Sequence, residues 1–254
     1  MYDYLLGGGH NFEVDRAAVD QAVSALPFLP AVARANRAFL GRVVRHLAEA
    51  GVDQFLDLGS GIPTAGNVHE VAQEVNPGVH TVYVDIDPIA VAHSGALLRG
   101  HAHTEALCAD LRQPRQVLDH PAVTRLIDWR RPVGLLMVAV LHFVEDHEDP
   151  WAVVDEFKSA IAPGSYLVLS HVTGDEIPDD ARRRAGEIYE NASAPGVPRS
   201  HAQVARFFDG LTMLDPGLVS VNDWRPALER GKRQPALFYA GVGRKPAPAP
   251  EGKQ

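Results

Sequence analysis

Residues Phe55 to Pro63 read FLDLGSGIP: a short apolar run with Asp57 inside it, then glycines at positions 59 and 61. An apolar run without helical spacing that ends in glycines predicts a buried strand closing in a tight turn. Just beyond it, TAGNVHEVAQEVNPG (64–78) sets Val68, Val71, Ala72 and Val75 on one helical face. Just before it, PAVARANRAFLGRVVRHLAEAG (30–51) places Leu40, Val43, Val44 and Leu47 at i, i+3, i+4 and i+7, with Gly51 as a left-handed stop. Helix, strand, glycine turn, helix is the unit from which the rest of the chain follows.

The alternation continues. HTVYVDIDP (80–88), TEALCAD (104–110), RPVGLLMVAV (131–140) and SYLVLSHV (165–172) read as strands. PIAVAHSGALLRG (88–100), a short patch at PRQVLDH (114–120) and PWAVVDEFKSAIAPG (150–164) read as the helices between them. Strands apolar on both faces, separated by helices, predict an α/β fold with a parallel sheet covered on two sides. Past residue 175 the pattern loosens into a polar helix at about 178–192 and another over Ser200–Asp209, followed by strands near 217–222 and 235–243. The connection NDWRPALERGKRQP is too turn-like for a crossover helix, so the final pair is expected to be antiparallel.

Bulk properties narrow the function. The 254 residues are 46% hydrophobic and 22% charged, enough for one substantial core. With a formal net charge of −8, and with the one basic run, Arg182 to Arg184, flanked by Asp179, Asp180 and Glu187, nucleic acid and anionic membranes are disfavoured partners. The single Cys108 excludes an intrachain disulfide and a cysteine zinc cage, which fits a reducing cytoplasm. Neither a spanning apolar stretch nor a signal-peptide pattern is present in the sequence.

Three acids close three successive strands, the first of them Asp57 in the run that enters the glycine turn. Asp85 ends the second and can accept hydrogen bonds from both ribose hydroxyls of a nucleoside lying across the strand ends. Asp110 ends the third and is placed to meet an exocyclic amine of adenine, with Leu111 packing on the ring. Asp87, immediately before Pro88, suits a helix N-cap instead. Glycines after the first strand let the backbone approach a ligand closely, but Thr64 stands where a dinucleotide fingerprint wants its third glycine and Pro63 intervenes, which disfavours a pyrophosphate seat and hence a nicotinamide-dependent dehydrogenase. His101 and His103 are two apart with no third ligand nearby, so a surface loop is preferred over a metal site.

At this point the chain resembles the class I S-adenosylmethionine-dependent methyltransferases. More narrowly, YDYLLGGGHNFEVDR, ARANRAFL, FLDLGSGIPT, YVDIDPIAVAH and LSHVT resemble an S-adenosyl methyltransferase family typical of actinomycetes, from Tyr2 to about Lys245. The resemblance implies a Rossmann-like seven-stranded sheet in the order 3-2-1-4-5-7-6 with strand 7 antiparallel. It implies S-adenosyl-L-methionine as cofactor, S-adenosyl-L-homocysteine as product and a small-molecule methyl acceptor. The expected cofactor residues are Tyr4, Arg37, Asp57, Gly59, Ser60, Gly61, Asp85, Ile86, Asp110, Leu111, Ala139 and Val140; Arg37, on an amphipathic helix, is equally suited to a solvated face.

His142, just past the fourth strand, is the candidate general base, with packing beneath the cleft as the competing role. The aromatic, glycine-rich opening suits a lid, with Tyr2 and Asn11 reaching cofactor or substrate, or else a docking segment for the terminus. The expected organisation is one domain over residues 1–245. It comprises an N-terminal cap (1–51), a cofactor-binding core (52–175), a helical substrate-side insertion (176–210) and C-terminal strands (211–245), with a flexible tail at 246–254. A cofactor-holding protein without turnover is the alternative within the same fold.

Overall fold

The computed structural model describes residues 2–9, 13–62, 66–175, 196–226 and 237–247. Three helices open the chain, α1 (Tyr2–Leu5), α2 (Glu13–Ala25) and α3 (Leu29–Glu49). The alternating core follows: β1 (Gln54–Leu58), α4 (Val68–Val75), β2 (His80–Asp85), α5 (Pro88–Leu97), β3 (Thr104–Cys108), α6 (Pro114–Leu118), α7 (Pro121–Leu126), β4 (Gly134–Val138), α8 (Pro150–Ala160) and β5 (Tyr166–Val172). After it come α9 (His201–Ala205), β6 (Thr212–Met213), β7 (Val219–Ser220) and β8 (Phe238–Arg244).

The strands form one sheet in the order β3-β2-β1-β4-β5-β8-β6, with β7 also paired to β8. Strands β1 to β5 are parallel, and β8 runs antiparallel to β5 from Tyr166↔Arg244 to Val172↔Phe238. The expected topology holds, with eight strands among the described residues where seven were expected. The sixth position is split between β6 and β7, both antiparallel to β8. Between them Pro216 offers no N–H, and Gly217 turns back at φ +86° to donate to Leu214 O at 2.7 Å, which interrupts the ladder. The expected polar helix at 178–192 lies outside the described residues.

Burial alternates along the strands and fills both faces. Leu56 and Leu58 of β1, with Leu167 and Leu169 of β5, point toward Phe157 of α8 and Phe207. Phe55 and Val168 point the other way, into a second core with Phe39, Val43 and Leu47 of α3 and with Trp224. Because side chains on a strand alternate in direction, Asp57 shares the α3 face with Phe55. The helix is anchored there by Arg42, which donates to Val221 O at 2.8 Å and Trp224 O at 3.0 Å. Among the described residues no helix is long and apolar enough to cross a membrane.

Candidate functional site

The carboxyl ends of β1, β2, β4 and β5 converge on one edge of the sheet, where ligands bind in open α/β folds. After β1 the chain turns through Gly59 at φ +74°, and a Cβ there would stand 2.2 Å from Val140 Cγ2. Only glycine lets the turn press this closely against the end of β4. The amides of Gly59 and Ser60 donate to Val84 O at 2.8 and 3.1 Å. Gly61 N–H donates to Asp85 Oδ2 at 2.7 Å, and Asp87 N–H to Asp85 Oδ1 at 2.9 Å. Asp85 thus fastens the glycine turn to the end of β2, and each oxygen keeps lone-pair capacity for a further donor. Asp87 caps α5 by accepting from Ile89 N–H at 2.8 Å, the role expected of it. Ile86 beside it is 56% exposed.

Asp57 lies beneath this turn, 6% exposed. Burial raises its carboxyl from 3.8 to about 7; the Arg37 guanidinium opposes the shift and the Asp85 charge adds to it. Arg37 reaches across from α3 and donates to Asn67 Oδ1 at 2.9 Å at the start of α4. It also borders a cavity of about 410 Å³ that includes Gly7 and Gly8 of the opening segment.

The third acid is engaged by an arginine two residues further along the chain. Arg112 grips Asp110 with Nε–Oδ1 at 2.9 Å and an N–O contact of 2.7 Å to Oδ2, and extends its other nitrogen to Glu148 at 2.6 Å. Burial alone would raise the Asp110 carboxyl, but the guanidinium fork outweighs it and holds the group below its ordinary value. Leu111 packs against the core on the α8 side.

Past β4, Ala139 adopts φ +57°, a strained conformation for a residue with a side chain. Its N–H is held by Ser170, at 3.1 Å to the carbonyl and 3.0 Å to Oγ. Ser170 in turn donates to Asn36 Oδ1 at 2.6 Å, and Asn36 Nδ2 donates to Tyr2 Oη at 3.0 Å. Tyr2 completes the series by donating to Ala33 O at 3.1 Å. Tyr4 lines a separate cavity of about 260 Å³ with Val19, Val23 and Arg34, between α1, α2 and α3. Asn11 lies outside the described residues.

His142 is the middle residue of the turn Leu141–Phe143 and is 8% exposed, ringed by Phe143, His171 and Phe238 at centroid distances of 4.2, 5.7 and 5.9 Å. Burial pushes its pKa well below the ordinary value, with His171 and Arg199 adding to the effect. The imidazole is therefore neutral, and its Nδ1 meets no hydrogen-bond partner among the described residues.

Sequence reasoning missed the clamp behind it. Arg199, 1% exposed, donates to Leu141 O at 3.0 Å, Val144 O at 2.8 Å, Asp146 Oδ1 at 2.6 Å and His171 Nε2 at 2.9 Å. His171 Nδ1 faces Val172 O at 2.7 Å, so Nδ1 carries the proton and Nε2 accepts. No spacing signal links Arg199 to a loop more than fifty residues earlier. The nearest clue is His171 within the LSHVT motif.

A parallel sheet with this strand order and an antiparallel penultimate strand, a glycine turn after β1 and an acid ending β2 define the class I methyltransferase architecture. The family model described as S-adenosyl methyltransferase matches residues 1–246, and the chain belongs to that family. A crystal structure from Thermobifida fusca YX is 43% identical, covering 97% of this chain and 93% of that one, with a TM-score of 0.91. A DUF574 family protein from Streptomyces avermitilis is 39% identical, covering 96% and 95%, also with a TM-score of 0.91. Human N-acetylserotonin methyltransferase in complex with SAM, 14% identical over 97% of this chain and 63% of that one, shares the fold with a TM-score of 0.52. The comparison with curated proteins gives no match.

Proposed function

We propose that this protein transfers a methyl group from S-adenosylmethionine to a small-molecule acceptor in the cytoplasm, leaving S-adenosylhomocysteine. The observation that carries this reading is the interlocking of the glycine turn, Asp85 and Val140 at one sheet edge, together with membership of the family. The donor set suits the cofactor: Asp85 keeps acceptor capacity toward ribose hydroxyls, Asp110 is held anionic toward an adenine amine, and exposed Ile86 supplies an apolar ring contact. Arg37 answers the amino-acid carboxylate, the backbone at Gly59, Ser60 and Gly61 allows close approach, and Ala139 and Val140 line the floor. When bound, S-adenosylmethionine supplies an electrophilic sulfonium methyl.

The chain's own work is alignment and exclusion of water, which carry most of the acceleration of an in-line displacement. His142 serves as the general base toward the acceptor's hydroxyl or amine: its imidazole is neutral, and its buried Nδ1 has no hydrogen-bond partner among the described residues to compete for that proton. Residues 1–51 serve as a cap over a cofactor core at 52–175, with Tyr4 offered to the cofactor and Tyr2 to cofactor or substrate; Asn11 and residues 176–195 of the expected acceptor side lie outside the described residues. The net charge of −8 favours a small acceptor over nucleic acid.

Calorimetric titration with S-adenosylmethionine, S-adenosylhomocysteine and NAD tests the reading first. Selective binding of the two adenosyl-sulfur ligands is expected, followed by S-adenosylhomocysteine release in an acceptor screen. Equal or tighter binding of NAD would overturn it.

A further inference from the structure

The hydrogen bonds that run through Asn36 have one direction, and within them Ala139 N–H has a second acceptor, Ser170 O at 3.1 Å. Ala139 N–H donates to Ser170 Oγ, whose hydroxyl donates to Asn36 Oδ1; on its other side Asn36 Nδ2 donates to Tyr2 Oη, whose proton goes to Ala33 O. Asn36 is 2% exposed and Ser170 fully buried, so water offers no easy substitute when a link is removed. At one end stands the opening segment, where Tyr2 is 39% exposed and is held by Ala33 and Asn36 through its hydroxyl. At the other stands the strained Ala139, whose neighbour Val140 packs on Gly59. A flipped Asn36 amide would aim its NH₂ at Ser170 and its oxygen at Tyr2, and both hydroxyls would have to turn away from their present acceptors.

We infer that Asn36 is a positioning residue that couples the seating of residues 2–9 to the backbone at the end of β4. Each end stabilises the other, because a hydroxyl lost at either end leaves a buried amide atom of Asn36 unpaired. The sensitivity of ligand binding to this coupling rests on the function proposed above; the coupling itself does not.

The test uses the full chain with Tyr2→Phe, Ser170→Ala and the double variant, each removing one hydroxyl with little change of shape. Hydrogen exchange without ligand is read in peptides spanning 2–9 and 136–142. Ser170→Ala should speed exchange at 2–9, and Tyr2→Phe at 136–142, by roughly fivefold, the effect of one lost neutral hydrogen bond. In titrations with S-adenosylhomocysteine each single variant should bind roughly fivefold weaker, and the double variant no weaker than the worse single one.

Exchange changes confined to the mutated end, or affinity losses that multiply in the double variant, would overturn the coupling. Should Ser170→Ala fail to fold, Tyr2→Phe at the half-exposed end still decides the question through exchange at 136–142. Absence of S-adenosylhomocysteine binding by the unmutated protein would refute the proposed function and leave the exchange arm to judge the coupling.

Discussion

Replacing Asp57 by Asn should make the protein more stable, and increasingly so as the pH rises. Burial holds the Asp57 proton until about pH 7 in the folded chain, against an ordinary value of 3.8. The sign follows from proton counting. Below 3.8 both states hold the proton and the group is neutral to stability; between 3.8 and about 7 the unfolded chain releases it while the folded chain keeps it, so stability falls with pH. Each unit is worth about 1.4 kcal/mol, so the displacement amounts to roughly 4 kcal/mol at neutral pH. The variant keeps the side chain's volume and removes the ionisation. Urea unfolding of both proteins, in steps from about pH 5 to about pH 8, isolates the effect because every other titrating group is shared. The difference in unfolding free energy should widen by about 1.4 kcal/mol per unit until about pH 7 and then level off. Parallel curves would refute the argument. They would mean that Arg37, which favours the charged form, fully compensates the burial of Asp57.

Three further expectations concern the same edge of the sheet. Gly59→Ala should lower stability by about 1–3 kcal/mol and weaken S-adenosylhomocysteine binding at least about tenfold, because the new Cβ strikes Val140. Gly61→Ala, at φ +62° with nothing in reach of its Cβ, should cost only about 1 kcal/mol; equal losses by thermal unfolding would discount the steric argument. Asp85→Ala should weaken binding by about 1–3 kcal/mol, and calorimetry showing no change would remove Asp85 from the ribose role. His171 carries the opposite pH dependence to Asp57: burial lowers it from 6.5 to about 4, with the Arg199 charge adding to the shift. Its neutral form therefore stabilises the fold above 6.5 and loses roughly 3 kcal/mol as the pH falls to about 4, a slope that His171→Gln should flatten in acid titrations of stability.

The two cores meet on opposite faces of the sheet, and the site draws on both. Val140 and Leu141 belong to the α8 side, whereas Asn36 and Asp57 face or sit on the α3 side. Ala139 lies between them, which explains why its backbone is fixed from β5 by Ser170 and the loop beyond it by Arg199. A ligand seated at this edge would thus touch residues whose positions are set by both layers.

Local patterning by itself determined the alternation of helices and strands, the parallel direction of the core strands, the N-cap role of Asp87 and the arrival of three acids at three strand ends. Strand and helix periodicities are properties of neighbouring residues, and burial on two faces selects them without reference to distant partners. Tertiary structure decided what Asp85 and Asp57 meet, whereas Asp110 is paired by its near neighbour in sequence. Asp110 lies in the fork of Arg112, Asp85 is tied to the amide of Gly61, and Asp57 is driven toward neutrality by a helix laid over it. Tertiary structure alone placed Arg199 on a loop more than fifty residues away and joined Ser170 to Asn36 across 134 residues of chain. Such contacts depend on where whole layers come to rest, and a buried donor takes whichever acceptor the packing brings within about 3 Å, however far away it lies in the chain.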